Sequence, residues 1–333
     1  MTARAPEVRI RDRAVAGLLP AMPRRLVRRL SAPYIAGEHL DDALETIDRL
    51  RAGGLCSTLD VLGEAVTDAG MAQHTREEYL QALDRLATID DANFRNVSVK
   101  PTGLGLAFDV GVARDYLRAI VQRASDVGGF VRIDMEDSPY TDITLTLFEE
   151  LRAEGFDCVG VVIQAYLKRS EADVERLAAM RAPVRIVKGI YLEPATIAFH
   201  DMQKINDSFV ELSERLVASG SRVAFATHDE RLVRESLEIV RRHALQPDQY
   251  EFQMLLGVRE AMRDELVRDG HPVRVYVPYG AQWYEYSLRR LRENPKIAGY
   301  VAGDVARSLG RRLKPGRRRA PAASPRGAAR KAR

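Results

Sequence analysis

An α/β chain closed into a (β/α)8, TIM-like barrel is the fold this sequence predicts, and three observations predict it. From about residue 55, eight short β-branched apolar runs recur, each followed by a longer stretch with helical periodicity and charged faces. The runs start 22 to 40 residues apart, which leaves room for a strand, a loop and a helix of a few turns. Nearly every run also closes on a polar residue, as expected where the carboxyl ends of parallel strands meet at one mouth.

Taken in order, residues 1–54 read as an N-terminal helical segment. Its first part is broken by Arg and Pro before a signal-peptide core can form. EHLDDALETIDRLRAGG then spaces apolar residues as an amphipathic helix that stops at Gly53-Gly54, expected on the bottom of the barrel or against its side. The eight runs are LCSTLDVL from Leu55, RNVSVKP from Arg95, GFVRIDME from Gly129, VGVVIQAY from Val159, PVRIVKG from Pro183, RVAFATHD from Arg222, YEFQML from Tyr250 and PVRVYVPYG from Pro272. Between them, Thr75-Arg-Glu-Glu reads as a capping box, and Ser170-Glu-Ala-Asp and Asp229-Glu-Arg-Leu as further helix starts. Near-continuous apolar runs such as VGVVI imply strands covered on both faces, as a parallel sheet requires. Eight units favour a closed barrel over 55–310; an open doubly wound sheet is the alternative, because counting does not establish closure. Residues 311–333 read as a disordered basic tail.

The charge balance supports that division. The chain carries 51 Lys+Arg and 47 Asp+Glu, net +4, but the tail holds ten bases and no acid. That leaves 41 bases against 47 acids in residues 1–310, a net of −6. The positive balance therefore does not describe a nucleic-acid-binding domain, and no nucleic-acid partner is expected. No window approaches 18 consecutive apolar residues, so the protein is expected in the cytoplasm. Cys56 and Cys158 have no ligand or disulfide spacing, and no metal site is expected.

The informative residues are those that end the runs: Lys100, Asp134 with Glu136, Gln164, Lys188 with Arg185 before it, Thr227-His228, Gln253 and Tyr276. Any one alone is more often a capped turn or a satisfied structural group than part of a site. Their convergence on one mouth makes the case. Lys100 with Arg289 and Arg290, from the segment after the eighth run, forms a cationic set suited to a small carboxylate. Asp134 among these cations stays ionised and orients Lys100 or an arginine. Arg185, Lys188, Gln164, Thr227 and His228 supply donors for an extended electron-poor ring and a phosphate chain. Gly103-Leu-Gly105 lacks the third glycine of a dinucleotide fingerprint, so a nucleotide cofactor would not be held in Rossmann fashion.

On these residues the chain resembles the proline dehydrogenase family. The matching stretches, in order, are Ser98-Val-Lys-Pro-Thr102, Ile133-Asp-Met-Glu136, Val162-Ile-Gln-Ala-Tyr166, Arg185-Ile-Val-Lys-Gly189, Ala226-Thr-His228, Phe252-Gln-Met-Leu255, Val275-Tyr-Val-Pro-Tyr-Gly280 and Arg289-Arg-Leu-Arg-Glu293. The resemblance implies a flavin-dependent barrel that oxidises L-proline to pyrroline-5-carboxylate. FAD would be the hydride acceptor and a membrane quinone the onward acceptor, with peripheral contact at the inner face of the cell membrane. It implies that Lys100, Arg289 and Arg290 bind the proline carboxylate, that Asp134 supports them, and that Tyr276, Leu255 and Glu293 line or brace the substrate pocket. It further implies that Met135, Val162, Gln164, Arg185, Lys188, Gly189, Ile190, Thr227 and His228 contact the flavin, with Arg185 near its reactive nitrogen. Ile190 departs from the small residue usual there, and its branched side chain is expected to crowd flavin or substrate.

Two readings from other classes stand beside this one. A Schiff-base lyase on the same barrel would use Lys100 or Lys188 as the amine, and the Arg-rich tail would make the protein a nucleic-acid binder.

Overall fold

The computed structural model describes residues 24–63, 66–284 and 286–288. Arg289, Arg290, Glu293 and the tail 311–333 lie outside the described residues.

Two helices, α1 (Arg24–Ser31) and α2 (Leu40–Ala52), precede eight strands: β1 (Cys56–Val61), β2 (Asn96–Val99), β3 (Phe130–Ile133), β4 (Val159–Gln164), β5 (Val184–Val187), β6 (Val223–Ala226), β7 (Tyr250–Leu255) and β8 (Val273–Tyr279). Each strand starts within one residue of its predicted run. Strand order is β1 through β8, all parallel, and β8 pairs back on β1 from Cys56↔Arg274 to Val61↔Tyr279, so the barrel is closed and the open sheet is excluded. The connecting helices are α3 (Ala69–Ala87), α4 (Val110–Asp126), α5 (Thr141–Ala153), α6 (Ser170–Ala179), α7 (Met202–Ala218), α8 (Glu230–Arg242) and α9 (Glu260–Arg268).

Helix α2 ends as predicted, on Gly53, with Gly54 at φ +74° accepting the left-handed turn that a side chain resists. Of the two positions expected for it, the structure takes the side. It lies against β8 and β1, and its buried Ala43, Ile47 and Leu50 join the core. Two helix starts differ from expectation. Helix α3 begins at Ala69, where the Asp68 carboxylate accepts from Met71 N, so Thr75 is a helical residue whose hydroxyl donates back to Met71 O at 3.1 Å. Ser170 is the first residue of α6 and caps nothing; its hydroxyl donates to Gln164 O at 2.6 Å and ties the helix to the end of β4. Asp229 does cap α8, through Arg231 N.

Strand side chains alternate between the two faces of the wall. Leu59, Val97, Val99, Val131, Ile133, Val161, Ile186, Phe225, Phe252 and Val275 belong to the apolar core. The alternate positions, Thr58, Asp60, Ser98, Arg132, Gln164, Arg185, Glu251, Gln253 and Arg274, are also buried. The apolar face is therefore the outer one under the helices, and the lumen is polar, unlike the branched aliphatic layers that commonly fill such barrels. Small residues make the space: a Cβ on Gly160 would collide with the Arg132 guanidinium, which donates to Val161 O and Pro183 O.

Burying so much charge is tolerable only when each charge is paired and hydrogen-bonded. Toward the amino-terminal end of the lumen, Glu251 meets this condition. Arg274 Nε donates to both Glu251 oxygens at 3.0 and 3.1 Å, and Arg222 Nη2 reaches Glu251 Oε2 at 3.2 Å. Burial alone would raise the Glu251 carboxyl, but Arg274, Arg222 and hydrogen bonds from Arg274 and Gln253 hold it down to about 2. A folded value below the unfolded one stabilises the fold above the unfolded pKa, 4.5, and that contribution is lost as pH falls through the folded value. A depression of this size is worth about 3 kcal/mol. Acid titration followed by near-ultraviolet circular dichroism should show this loss between about pH 4.5 and pH 2. Glu251→Gln should be less stable at pH 7 and flatter through that window, and an unchanged acid profile would contradict the pairing.

Candidate active site

At the carboxyl end of the barrel, polar side chains from six strands or their ends meet in one network. Lys100, following β2, donates to Asp60 Oδ1 on β1 at 2.7 Å and to Tyr276 Oη on β8 at 2.9 Å, with Asp134 Oδ2 at 3.6 Å. Asp134, following β3, accepts from Arg185 Nη1 on β5 at 2.6 Å and from Tyr276 Oη at 2.8 Å. Arg185 uses its whole fork: Nη2 donates to Ser98 Oγ at 2.9 Å and Nε to Gln253 Oε1. The Tyr276 ring lies 5.5 Å from the Arg185 guanidinium carbon and 5.6 Å from Lys100 Nζ, within cation–π range. Burial, with Asp134 and Asp60 nearby, pushes the Tyr276 phenol well above its usual value, so it remains a neutral donor.

Lys100, Asp134, Arg185 and Tyr276, predicted from their strand ends, are thus brought into one cluster. Its charges balance, two cations against Asp60 and Asp134. Lys100 Nζ lies among three acceptors and Lys188 Nζ is paired with Asp229 at 2.6 Å, so both are engaged as ion-pair donors rather than presented to a carbonyl as a Schiff-base lyase would need.

Beside this cluster lie the residues assigned to a cofactor. Met135, Val162, Gln164 and Thr227 are buried. Gln164 Nε2 donates to Glu136 O at 2.9 Å, and Glu136 in turn accepts from Thr102 N at 2.8 Å and from the Thr102 hydroxyl. His228 Nε2 accepts from Leu255 N at 2.9 Å, which leaves the ring proton on Nδ1 and ties the loop after β6 to the end of β7. Gly189, at φ +107°, passes so close to the Tyr166 ring that any Cβ would collide with it. Beyond it, Ile190 is 47% exposed and Leu192 fully exposed. Ile190 and Leu192 thus form an exposed apolar edge after Gly189. This set fits a flat ring with a charged chain: an apolar floor from Met135 and Val162, donors from Arg185, Lys188 and His228, and an unhindered backbone at Gly189.

Sequence reasoning missed several members. Asp60 is the polar end of the first run, hidden because two apolar residues follow it. Tyr79 of α3 donates to Ser98 O at 2.7 Å and accepts from Val61 N at 3.3 Å, pinning β1 to β2 beneath the cluster. Nothing in a helical Tyr signals that. Asp229, read only as a cap, also pairs with Lys188; with burial opposing, that lysine holds its carboxyl below the usual range.

Among the described residues, no helix is long and apolar enough to cross a membrane. A family profile described as proline dehydrogenase matches residues 43–302. Proline dehydrogenase 1 of Bacillus subtilis (strain 168) is 36% identical over 268 residues, covering 80% of this chain and 88% of that protein. The proline dehydrogenase of Deinococcus radiodurans is 33% identical over 284 residues, covering 84% and 91%. Among solved structures, proline utilization A (PutA) from Bdellovibrio bacteriovorus inactivated by N-propargylglycine matches with a TM-score of 0.77 at 25% identity over 84% of this chain, which spans only 36% of that longer one. On the profile and these relatives together, the chain belongs to the proline dehydrogenase family and is a proline-oxidising enzyme.

Proposed function

We propose that the protein oxidises L-proline to pyrroline-5-carboxylate with FAD held across the ends of β4, β5 and β6, and passes the electrons to a quinone. The observation that carries this reading is the buried Lys100–Asp134–Arg185–Tyr276 network, set beside the donors Gln164, Lys188 and His228. Because the cations of that network are already balanced by Asp60 and Asp134, an incoming carboxylate needs further positive charge. Arg289 and Arg290 are the residues proposed to supply it, with Lys100 as a point charge from the opposite side. Leu255 and Tyr276 line the proline ring and Glu293 braces the arginines.

When bound, FAD supplies a two-electron acceptor whose ring gains negative charge on reduction. Arg185 holds a fixed cation where that charge develops, and Asp134 and Ser98 keep the guanidinium from turning away. On the substrate, the C–H bond of the ring carbon beside the amine breaks with its electron pair, and the lone pair of the neutral amine closes the C=N bond. Half-buried Tyr276 and Lys100 flank that face.

The test is anaerobic. The purified protein should be yellow, release FAD on denaturation, and bleach with L-proline; Arg290→Met should retain flavin while the proline needed for half-maximal bleaching rises on the order of a hundredfold, as expected for losing a charged contact to a carboxylate. A colourless protein, or one bleached by no cyclic amino acid, overturns the reading. Contact with the membrane surface, where the quinone would be met, is tested by co-sedimentation with anionic liposomes.

A further inference from the structure

The cluster at the mouth is not the end of the network. From Arg185 it continues down the lumen: Arg185 Nε donates to Gln253 Oε1, Gln253 Nε2 donates to Glu251 Oε1, and Arg274 Nε closes on Glu251 at 3.0 Å. Arg274 is anchored in turn by Nη1 donation at 2.6 Å to both Ser57 O and Asn93 O, at the amino-terminal end of the barrel. Gln253, Glu251 and Arg274 are all buried.

The link at position 253 has only one workable polarity. A guanidinium only donates and an ionised carboxylate only accepts, so the amide must present its oxygen to Arg185 and its NH2 to Glu251. Glu251, held by Arg274 and Arg222, therefore determines which way the Gln253 amide faces. This arrangement also settles a conflict of charge. Arg185 already has one carboxylate, Asp134. A second placed directly on Nε would fix the guanidinium but cancel the field it projects toward the mouth. A neutral amide fixes Nε equally well, and keeps the second anion one side chain further away.

We infer that Gln253, oriented by Glu251 and Arg274, is a positioning residue that holds the Arg185 guanidinium against the reactive ring of the flavin without neutralising it. This rests on the reading that Arg185 lies at that ring. With the Nε anchor gone, the guanidinium keeps its charge but gains freedom to turn, and stabilises the reduced ring less.

The experiment uses Gln253→Met, which keeps length and volume while removing both hydrogen bonds. Two quantities are read on the flavin-loaded protein: the midpoint potential, and the flavin reduction rate across a proline series, which separates the limiting rate from the half-saturating concentration. The expected result is a lower potential, by about 30 mV for a tenfold change in the two-electron equilibrium. The limiting reduction rate should fall about tenfold, with half-saturating proline within twofold of wild type. Unchanged potential and limiting rate, or a raised half-saturation alone, overturns the inference. Should Gln253→Met lose its flavin, Gln253→Asn, one methylene too short to span both partners, is read in the same way. Wild-type protein that proline does not bleach defeats the parent reading and this inference together; wild type that bleaches beside an indifferent Gln253 variant defeats only this one.

Discussion

Asp134→Ala is expected to lower unfolding stability by about 3–5 kcal/mol and to leave almost no proline oxidation, because it removes the one acceptor shared by Arg185, Tyr276 and Lys100. What remains is a buried guanidinium that has lost its partner at 2.6 Å, a half-buried phenol that has lost the acceptor of its proton, and a Lys100 that keeps Asp60 but loses Asp134. The loss comes from stranding these groups more than from the pair's intrinsic strength, since well-formed buried pairs often contribute little net stability. Asp134→Asn sharpens the test. It keeps volume and one acceptor, but turns an NH2 toward a donor, so activity should fall nearly as far while about half the stability returns. Thermal unfolding beside steady-state kinetics separates the two effects. A melting temperature unmoved in both variants would show that the carboxylate does not hold the cluster.

Arg185→Met is expected to cost about a thousandfold in the limiting rate of flavin reduction, the scale on which a preorganised charge at a site of developing charge acts. Methionine preserves the packing beside Val162 and Ala224, its neighbours in register on β4 and β6. Arg185→Lys should recover little, because a point charge does not reach Asp134, Ser98 and Gln253 at once. Asp134 and Arg185 are in direct contact, so their penalties should not add: the double variant should be scarcely slower than the worse single one. Additive losses in single-turnover reduction would place the two residues in separate roles.

The barrel was legible because eight runs recur at a spacing that only strand–helix repeats produce, and Lys100 and Asp134 were legible because each follows the carboxyl end of its strand; Arg185, second residue of β5, and Tyr276, fourth of β8, stood out through the stretches that carry the family resemblance. Glu251 and Arg274 were not, and the reason is physical. They sit in mid-strand, within Tyr250-Glu-Phe-Gln-Met and Val273-Arg-Val-Tyr-Val, an alternation that ordinarily marks one wet face. Here the polar half of that alternation faces a closed lumen, and only long-range pairing, such as Arg274 with Ser57 O and Asn93 O, makes its burial tolerable. Helix starts misled for a local reason: Thr75-Arg-Glu-Glu has the letters of a capping box, whereas the helix opens seven residues earlier on Asp68, where Gly70 obscures the periodicity. The carboxylate-binding assignment of Arg289 and Arg290 lies outside the described residues and stands on the family resemblance.

Helix α2, which precedes the first strand, covers the outer groove where β8 returns to β1. The last seam of the barrel is therefore shut from the front of the chain. Ala43, Ile47 and Leu50 lay an apolar face along that seam. The helix that comes before the first strand thus acts as the latch on the eighth.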